Sequence, residues 1–403
     1  MITLLFFMWG LLTSLNDVLI PHLKAVYELS YVQAMLVQSC FFAAYFLVSL
    51  PAGYLIRRIG YQRGIVVGLA IAAGGCALFY PAAESGYGVF LTALFILASG
   101  ITILQVAANP YVTTLGPAST ASSRLTLTQA FNSLGTTVAP ALGGLLLLPA
   151  VVLTAQEQMA MPAAVRAAYK AAEAAAIQLP YLGLAATLLL LAGVFALVRL
   201  PAVAAGAPAV RLADGSNRVL PPHLYLGIIA IFLYVGGEVA IGSFLINFLG
   251  SDSVAAMSVG EAAHYVSFYW GGAMLGRFVG SAVMQRVSPG KALASSAAGA
   301  CMLIVVAMVT HGAVAMWSIL AVGLCNAIMF PTIFSMALHR LGPLTGKGSG
   351  LLCMAIVGGA VVPPLQGLLA DWLGVQLSFM LPAVCYAFVL WYGLRFARLT
   401  ALA

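Results

Sequence analysis

The sequence predicts an all-α integral membrane protein: twelve transmembrane helices in two pseudo-symmetric six-helix bundles, with both termini cytoplasmic. Three observations carry this. Charged residues make up 7% of the 403 residues and hydrophobic residues 63%, against about 25% charged in soluble domains. Apolar stretches of the ~20 residues that a helix needs to cross a ~30 Å hydrocarbon core recur along the whole chain. Finally, motifs in the first half return in the same order in the second.

Taken in order, the spans fall near 2–22, 31–56, 63–81, 88–115, 124–149 and 180–199, then 222–249, 260–285, 290–310, 313–340, 347–372 and 375–396. The first span lacks a basic stretch before it and a small-residue cleavage site after it, so it reads as a membrane helix and not as a removed leader. Basic residues set the orientation. With both termini inside, the inner loops and tail hold most of the Arg and Lys, from Arg57 and Arg58 through Arg286 and Lys291 to Arg395 and Arg398. The outer loops hold Lys24, Arg166 and Lys170, while Arg277 lies within the eighth span. The net charge of +7 is therefore a topology signal. No basic cluster with stacking aromatics accompanies it, so nucleic acid is not an expected partner. The six cysteines all lie in apolar spans without metal-ligand spacing and read as small buried hydrophobes.

The segment 200–221 is flexible in composition and reads as a cytoplasmic linker between an N-terminal bundle, 1–199, and a C-terminal bundle, 222–403. Gly135 to Gly144 with Pro140 in the fifth span resembles Gly358 to Gly367 with Pro363 in the eleventh. Pro110 with Leu115-Gly116-Pro117 is matched loosely by Pro331 with Leu341-Gly342-Pro343. Parallel repeats with a site at their interface are a known transporter plan. The Ala-rich segment 150–179, with Glu157, Arg166, Lys170 and Glu173, reads as a separate helix in solvent or at the interface.

Asp17 and Glu238 are the acidic residues set well inside apolar spans. A charged group there costs roughly 2.5–3.5 kcal/mol on insertion scales and commonly marks an ion or proton path. Two such carboxylates point to a transporter coupled to a cation. Around them stand further polar groups: Asn16 beside Asp17 in the first span, Gln105 and Asn109 on one face of the fourth, and Gln129 and Asn132 in the fifth. Tyr234 precedes Glu238 by one turn. Amides offer donors and acceptors without charge, which suits neutral polyhydroxyl ligands, and Trp9, Tyr269 and Trp270 could pack against a sugar ring. The plainer alternative is that the amides hold helices together, at about 0.6 kcal/mol each. Arg277 reads as structural or gating. Gly68, Gly74, Gly143, Gly144, Gly271, Gly272 and Gly276 read as close-packing positions, and Pro21, Pro110, Pro140, Pro331 and Pro363 as kinks.

In Leu15-Asn16-Asp17-Val18, Ala107-Ala108-Asn109-Pro110-Tyr111, Gln129-Ala130-Phe131-Asn132, Gly276-Arg277-Phe278 and Phe330-Pro331-Thr332, the chain resembles the major facilitator superfamily. Within it, the likeness is to the fucose–galactose–glucose:proton symporter family, and it runs over nearly the whole sequence. Where the superfamily's loop motif has Asp, this chain has Arg57. The resemblance implies sugar uptake by alternating access in a bacterial inner membrane, with Asp17 matching the family's proton-linked Asp and Gln129 and Asn132 on cavity positions. The fucose carrier has a carboxylate where this chain has Gln105, and Gln where it has Glu238. The stretch around Gln105 looks instead like the glucose/galactose branch.

These readings combine into a proton-coupled hexose symporter. Asp17 and Glu238 are the proton-coupling candidates. Trp9, Asn16, Gln105, Asn109, Gln129, Asn132, Tyr234 and Trp270 are the substrate-binding candidates. Protonation removes the cost of closing a dry bundle around a charge. Sugar, proton and lipid bilayer are the expected partners, with a monomer sufficient and no cofactor or metal. Sodium in place of the proton is the nearest alternative, followed by a drug/proton antiporter of the same fold. No His-Glu-x-x-His or Gly-x-Ser-x-Gly motif speaks for an enzyme.

Overall fold

The computed structural model describes residues 2–27, 31–146, 160–201 and 220–398. Among the described residues, regular structure is helical throughout. The helices are α1 Ile2–Tyr27, α2 Tyr31–Ile59, α3 Tyr61–Ser85, α4 Tyr87–Thr114, α5 Ala121–Leu146 and α6 Ala163–Leu197. They continue with α7 Pro222–Leu249, α8 Val259–Val283, α9 Pro289–Val309, α10 Gly312–Asn326, α11 Met329–Ala337, α12 Thr345–Met354, α13 Gly358–Leu373, α14 Val375–Ser378 and α15 Met380–Arg395. Nine helical segments among the described residues are long and apolar enough to cross a membrane. The segment α8, which carries Glu261, His264 and Arg277, is not one of them.

Two local features differ from expectation. From Ala163 onward, the segment expected as a separate surface helix is continuous with the sixth span, and α6 carries Pro180 in its interior. Its run of alanines, the strongest helix formers, leaves nothing there to stop the helix. The prolines also act unequally. Pro110 lies inside an unbroken α4, and Pro363 and Pro364 lie inside α13. The tenth span breaks between α10 and α11, just before Pro331. Lacking an N–H, Pro331 cannot bond the carbonyl four residues back, that of Ala327.

The chain forms two compact units, Met1–Ala108 with Phe131–Ala202, and Asn109–Ala130 with Val203–Ala403. In the first, α3 lies along α6, and Phe79 stacks against Phe90 and Tyr181 at centroid distances of 5.0 and 4.3 Å. Glycines let backbones touch. A Cβ on Gly135 would stand 2.2 Å from the Phe7 carbonyl oxygen, and one on Gly75 would stand 2.4 Å from the Leu97 nitrogen. Gly74, expected at such a contact, has nothing within 4 Å; it faces away from the neighbour that Gly75 meets. In the second unit, a Cβ on Gly358 would stand 2.0 Å from the Phe232 carbonyl oxygen. Gly135 and Gly358, aligned by the internal repeat, thus each seat a helix on a phenylalanine carbonyl.

The segment Asn109–Ala130 is organised by Arg124. Its guanidinium donates to the carbonyls of Thr113 and Pro117, both at 2.9 Å, and of Val112 at 3.3 Å. The fork thereby serves the Thr113 carbonyl in the last turn of α4 and adds a second donor to the Val112 and Pro117 carbonyls, which also accept from the backbone of Leu115 and Thr120. Ser122 shares a hydroxyl–hydroxyl bond with Ser335, and Ser123 donates to the Ser281 carbonyl, both at 2.5 Å. These bonds tie the segment to the rest of its unit.

Candidate functional site

The first group of polar side chains lies on α1, α4 and α5. Trp9 is buried, its ring tilted against Phe6 at 5.3 Å. Gln105 is buried and its Nε2 donates to the Tyr45 hydroxyl, while its Oε1 is buried without a partner. One turn further along α4, Asn109 is fully buried and neither its Nδ2 nor its Oδ1 has a partner. Leaving such an atom unsatisfied costs about 1–3 kcal/mol. Between them, Gln105 and Asn109 carry three unsatisfied polar atoms.

On α5, Gln129 is buried and engaged, and Asn132 donates from Nδ2 to the Phe6 carbonyl at 3.0 Å. Asn132 therefore holds α5 to α1 with one of its polar atoms. That matches the plainer reading of an intramembrane amide and leaves its oxygen available for other contacts. Thr13 bonds back to Trp9 and Gly10, and Ser14 donates to the Thr136 carbonyl at 3.1 Å. The helix α1 continues through Asn16 and Asp17, but their side chains lie outside the described residues.

The second group surrounds Glu238 on α7. Its Oε1 is buried without a partner, and Tyr234 stands one turn earlier on the same helix. Tyr234 is fully buried and donates to the Asn326 carbonyl at 3.1 Å. Tyr269 on α8 is fully buried as well. Its hydroxyl accepts from Asn326 Nδ2 at 2.7 Å and donates to the Glu238 carbonyl at 3.3 Å. Asn326 Oδ1 has no partner. Tyr386 on α15 lies 6.3 Å from the Tyr234 ring and within electrostatic reach of Tyr269 and Glu238, yet its buried hydroxyl makes no aligned hydrogen bond. The Arg277 Nε donates to the Ala327 carbonyl at 3.3 Å. Trp270 stands edge-on to Tyr269 at 5.0 Å and is 44% exposed.

The structure thus keeps Tyr234 and Glu238 one turn apart on α7, and Arg277, expected as structural or gating, is held on the Ala327 carbonyl. Sequence reasoning missed Asn326 and Tyr386, and it valued Tyr269 only for its ring. An amide would be unremarkable in a loop, but Asn326 sits inside an apolar span shortly before Pro331, and that was the available signal.

Residues 2–356 match the Major Facilitator Superfamily. The chain is 57% identical over 394 residues to the glucose/galactose transporter of Brucella abortus, covering 98% of this chain and 92% of that protein. It is 46% identical over 400 residues to a putative glucose/galactose transporter of Helicobacter pylori, covering 98% and 95%. With the L-fucose-proton symporter of Escherichia coli it shares 36% identity over 408 residues, covering 98% and 92%. A crystal structure of the Escherichia coli fucose:proton symporter superposes with a TM-score of 0.88 at 33% identity, covering 100% of this chain and 98% of that one. Another, described as in the outward conformation, gives 0.89 at 34% over the same shares. With a family match across most of the chain and relatives aligned nearly end to end, this protein belongs to the Major Facilitator Superfamily, whose members are membrane transporters and not enzymes.

Proposed function

We propose that the protein is a proton-coupled symporter that imports a hexose of the glucose/galactose kind by alternating access. Sugar transport by a symporter of this fold is supported by relatives named for glucose/galactose and for fucose with a proton. The observation that carries the reading to named residues is the face of α4, where Gln105 Oε1 and both polar atoms of Asn109 are buried and unpartnered. Sugar hydroxyls donate and accept at once, so they can satisfy an amide's two ends together.

In this reading Gln105, Asn109, Gln129 and Asn132 bind hydroxyls, Asn16 adds a further amide, and Trp9, Tyr234 and Trp270 contribute aromatic surface. Asp17 takes up the driving proton and Glu238 is the second coupling carboxyl. Neutral carboxyls let the loaded protein close, because a dry interior penalises the charged form. The chain divides into bundles 1–199 and 222–403 joined by the linker 200–221. Twelve spans put both termini in the cytoplasm, the membrane is a bacterial inner membrane, and one chain suffices.

The test is uptake of labelled glucose and galactose into proteoliposomes, sodium-free, with and without an inward proton gradient. Accumulation that requires the gradient supports the proposal. Accumulation only when sodium is supplied assigns the carboxylates to a sodium site, and silence in both conditions rejects the sugar.

A further inference from the structure

Away from the polar groups, α8 and α9 leave an apolar groove of about 410 Å³ between them. Glycines set its depth, because they let α8 lie directly on the residues that follow α10. A Cβ on Gly276 would stand 2.6 Å from the Ala327 Cβ, and one on Gly280 would stand 2.2 Å from Ile328 Cγ2. Ala292 and Ile328 line the groove and pack with Met284 and Ala327 in one buried cluster. Along α8, the lining residues Leu275, Val279 and Val283 are 59%, 64% and 46% exposed. Ser295 lines the α9 wall, but its hydroxyl is spent on the Ala292 carbonyl at 2.9 Å. The walls thus offer an occupant mainly apolar surface. From Leu275 to Val283 the groove follows α8 for about 12 Å, near the ~15 Å depth of one leaflet of a hydrocarbon core.

One end of the groove is basic. Val287 and Ala292 line it there, and their neighbours in sequence, Arg286 and Lys291, are exposed. Lys291 lies one turn before Ser295, on the same face of α9. No Asp or Glu occurs between Ala262 and Ala370, a stretch that includes every residue lining the groove. Glu261, also on α8, sits in its first turn, at the opposite end of the helix.

An apolar slot one leaflet deep, with a cationic end, fits a molecule with a long chain and an anionic head. We propose that the groove binds one anionic phospholipid, with an acyl chain between α8 and α9 and the phosphate held by Arg286 and Lys291. The proposal is independent of the transported substrate and of the coupling ion. The guanidinium fork can hold two phosphate oxygens, and the ammonium adds a point charge. A zwitterionic lipid would fill the slot with the same chain but bring its own cation to the basic end. Preference between lipids therefore comes from the head.

The experiment is native mass spectrometry of the purified full-length protein in detergent, offered equal amounts of phosphatidylglycerol and phosphatidylcholine with matched chains. The wild type should retain one phosphatidylglycerol per chain, about 25-fold in preference to phosphatidylcholine, at about fivefold for each basic residue beside an anionic head. Arg286→Gln combined with Lys291→Gln should bind the two lipids alike. Ser295→Phe, which fills the groove from an exposed position on its wall, should retain neither. Glycerol phosphate, a head without chains, should not displace the bound lipid. Equal retention by the wild type, an undiminished preference in the charge variant, or full retention by Ser295→Phe overturns the proposal. Displacement by glycerol phosphate would mark a site for free anions, and a lipid-free dimer would give the groove to a second copy; either overturns it too. Arg286 and Lys291 are both exposed, so the charge variant keeps the fold and decides even where Ser295→Phe does not.

Discussion

Changing Tyr269 to Phe deletes one oxygen atom from the polar cluster around Glu238, and so does changing Tyr386 to Phe. Both tyrosines are fully buried, and burial alone would assign them the same effect. Their hydrogen bonds separate them. Without the Tyr269 hydroxyl, the Asn326 Nδ2 that bonds it at 2.7 Å has no acceptor, and Asn326 is itself fully buried. An orphaned donor of that kind costs about 1–3 kcal/mol. The bond to the Glu238 carbonyl, at 3.3 Å, is long and adds about 0.5–1 kcal/mol. Tyr269→Phe should therefore destabilise by about 1.5–4 kcal/mol. The Tyr386 hydroxyl makes no aligned bond, so its removal orphans nothing and relieves a desolvated group. Tyr386→Phe should fall between neutral and about 1 kcal/mol stabilising. Thermal unfolding of the two variants in the same detergent and at the same scan rate, followed by tryptophan fluorescence, makes the comparison. Equal losses, or a larger loss for Tyr386→Phe, would refute this assignment of hydrogen bonds in the cluster.

Three further outcomes are expected. Asn109→Leu should lower hexose uptake at least about tenfold while leaving thermal stability unchanged or raised, because it removes an amide with no partner at either end; uptake at the wild-type rate would take Asn109 out of the binding site. Gly135→Ala and Gly358→Ala should each destabilise by about 1–3 kcal/mol or more, since each new methyl meets a backbone oxygen that cannot rotate away. Fluorescence-detected unfolding of both variants checks whether the two repeat-related contacts respond alike. Asp17→Asn should abolish gradient-driven accumulation yet retain sugar exchange between equal concentrations. An intact response to the gradient would remove Asp17 from the coupling path.

The sequence by itself determined where the apolar helices lie, because transfer into lipid sums over about 20 contiguous residues and needs no knowledge of neighbours. It also marked Glu238 and Tyr234, since helical spacing places them on one face. Gly135 and Gly358 could be paired because they occupy the same place in a repeated motif. Where a position depends on which way a helix faces, the chain alone was ambiguous. Adjacent glycines 74 and 75 look alike, and only packing against α4 decides that Gly75 makes the close approach. The helical strength of 163–179 was visible, but not its continuity through Pro180 into the sixth span. The tertiary structure alone decided which buried polar atoms have partners: Asn132 is tied to α1 at one end, whereas Asn109 is tied at neither. It alone gathered Glu238, Tyr269, Asn326 and Tyr386, which come from four helices far apart in sequence. Hydrogen-bond satisfaction is a property of three-dimensional neighbours, and no spacing along the chain encodes it.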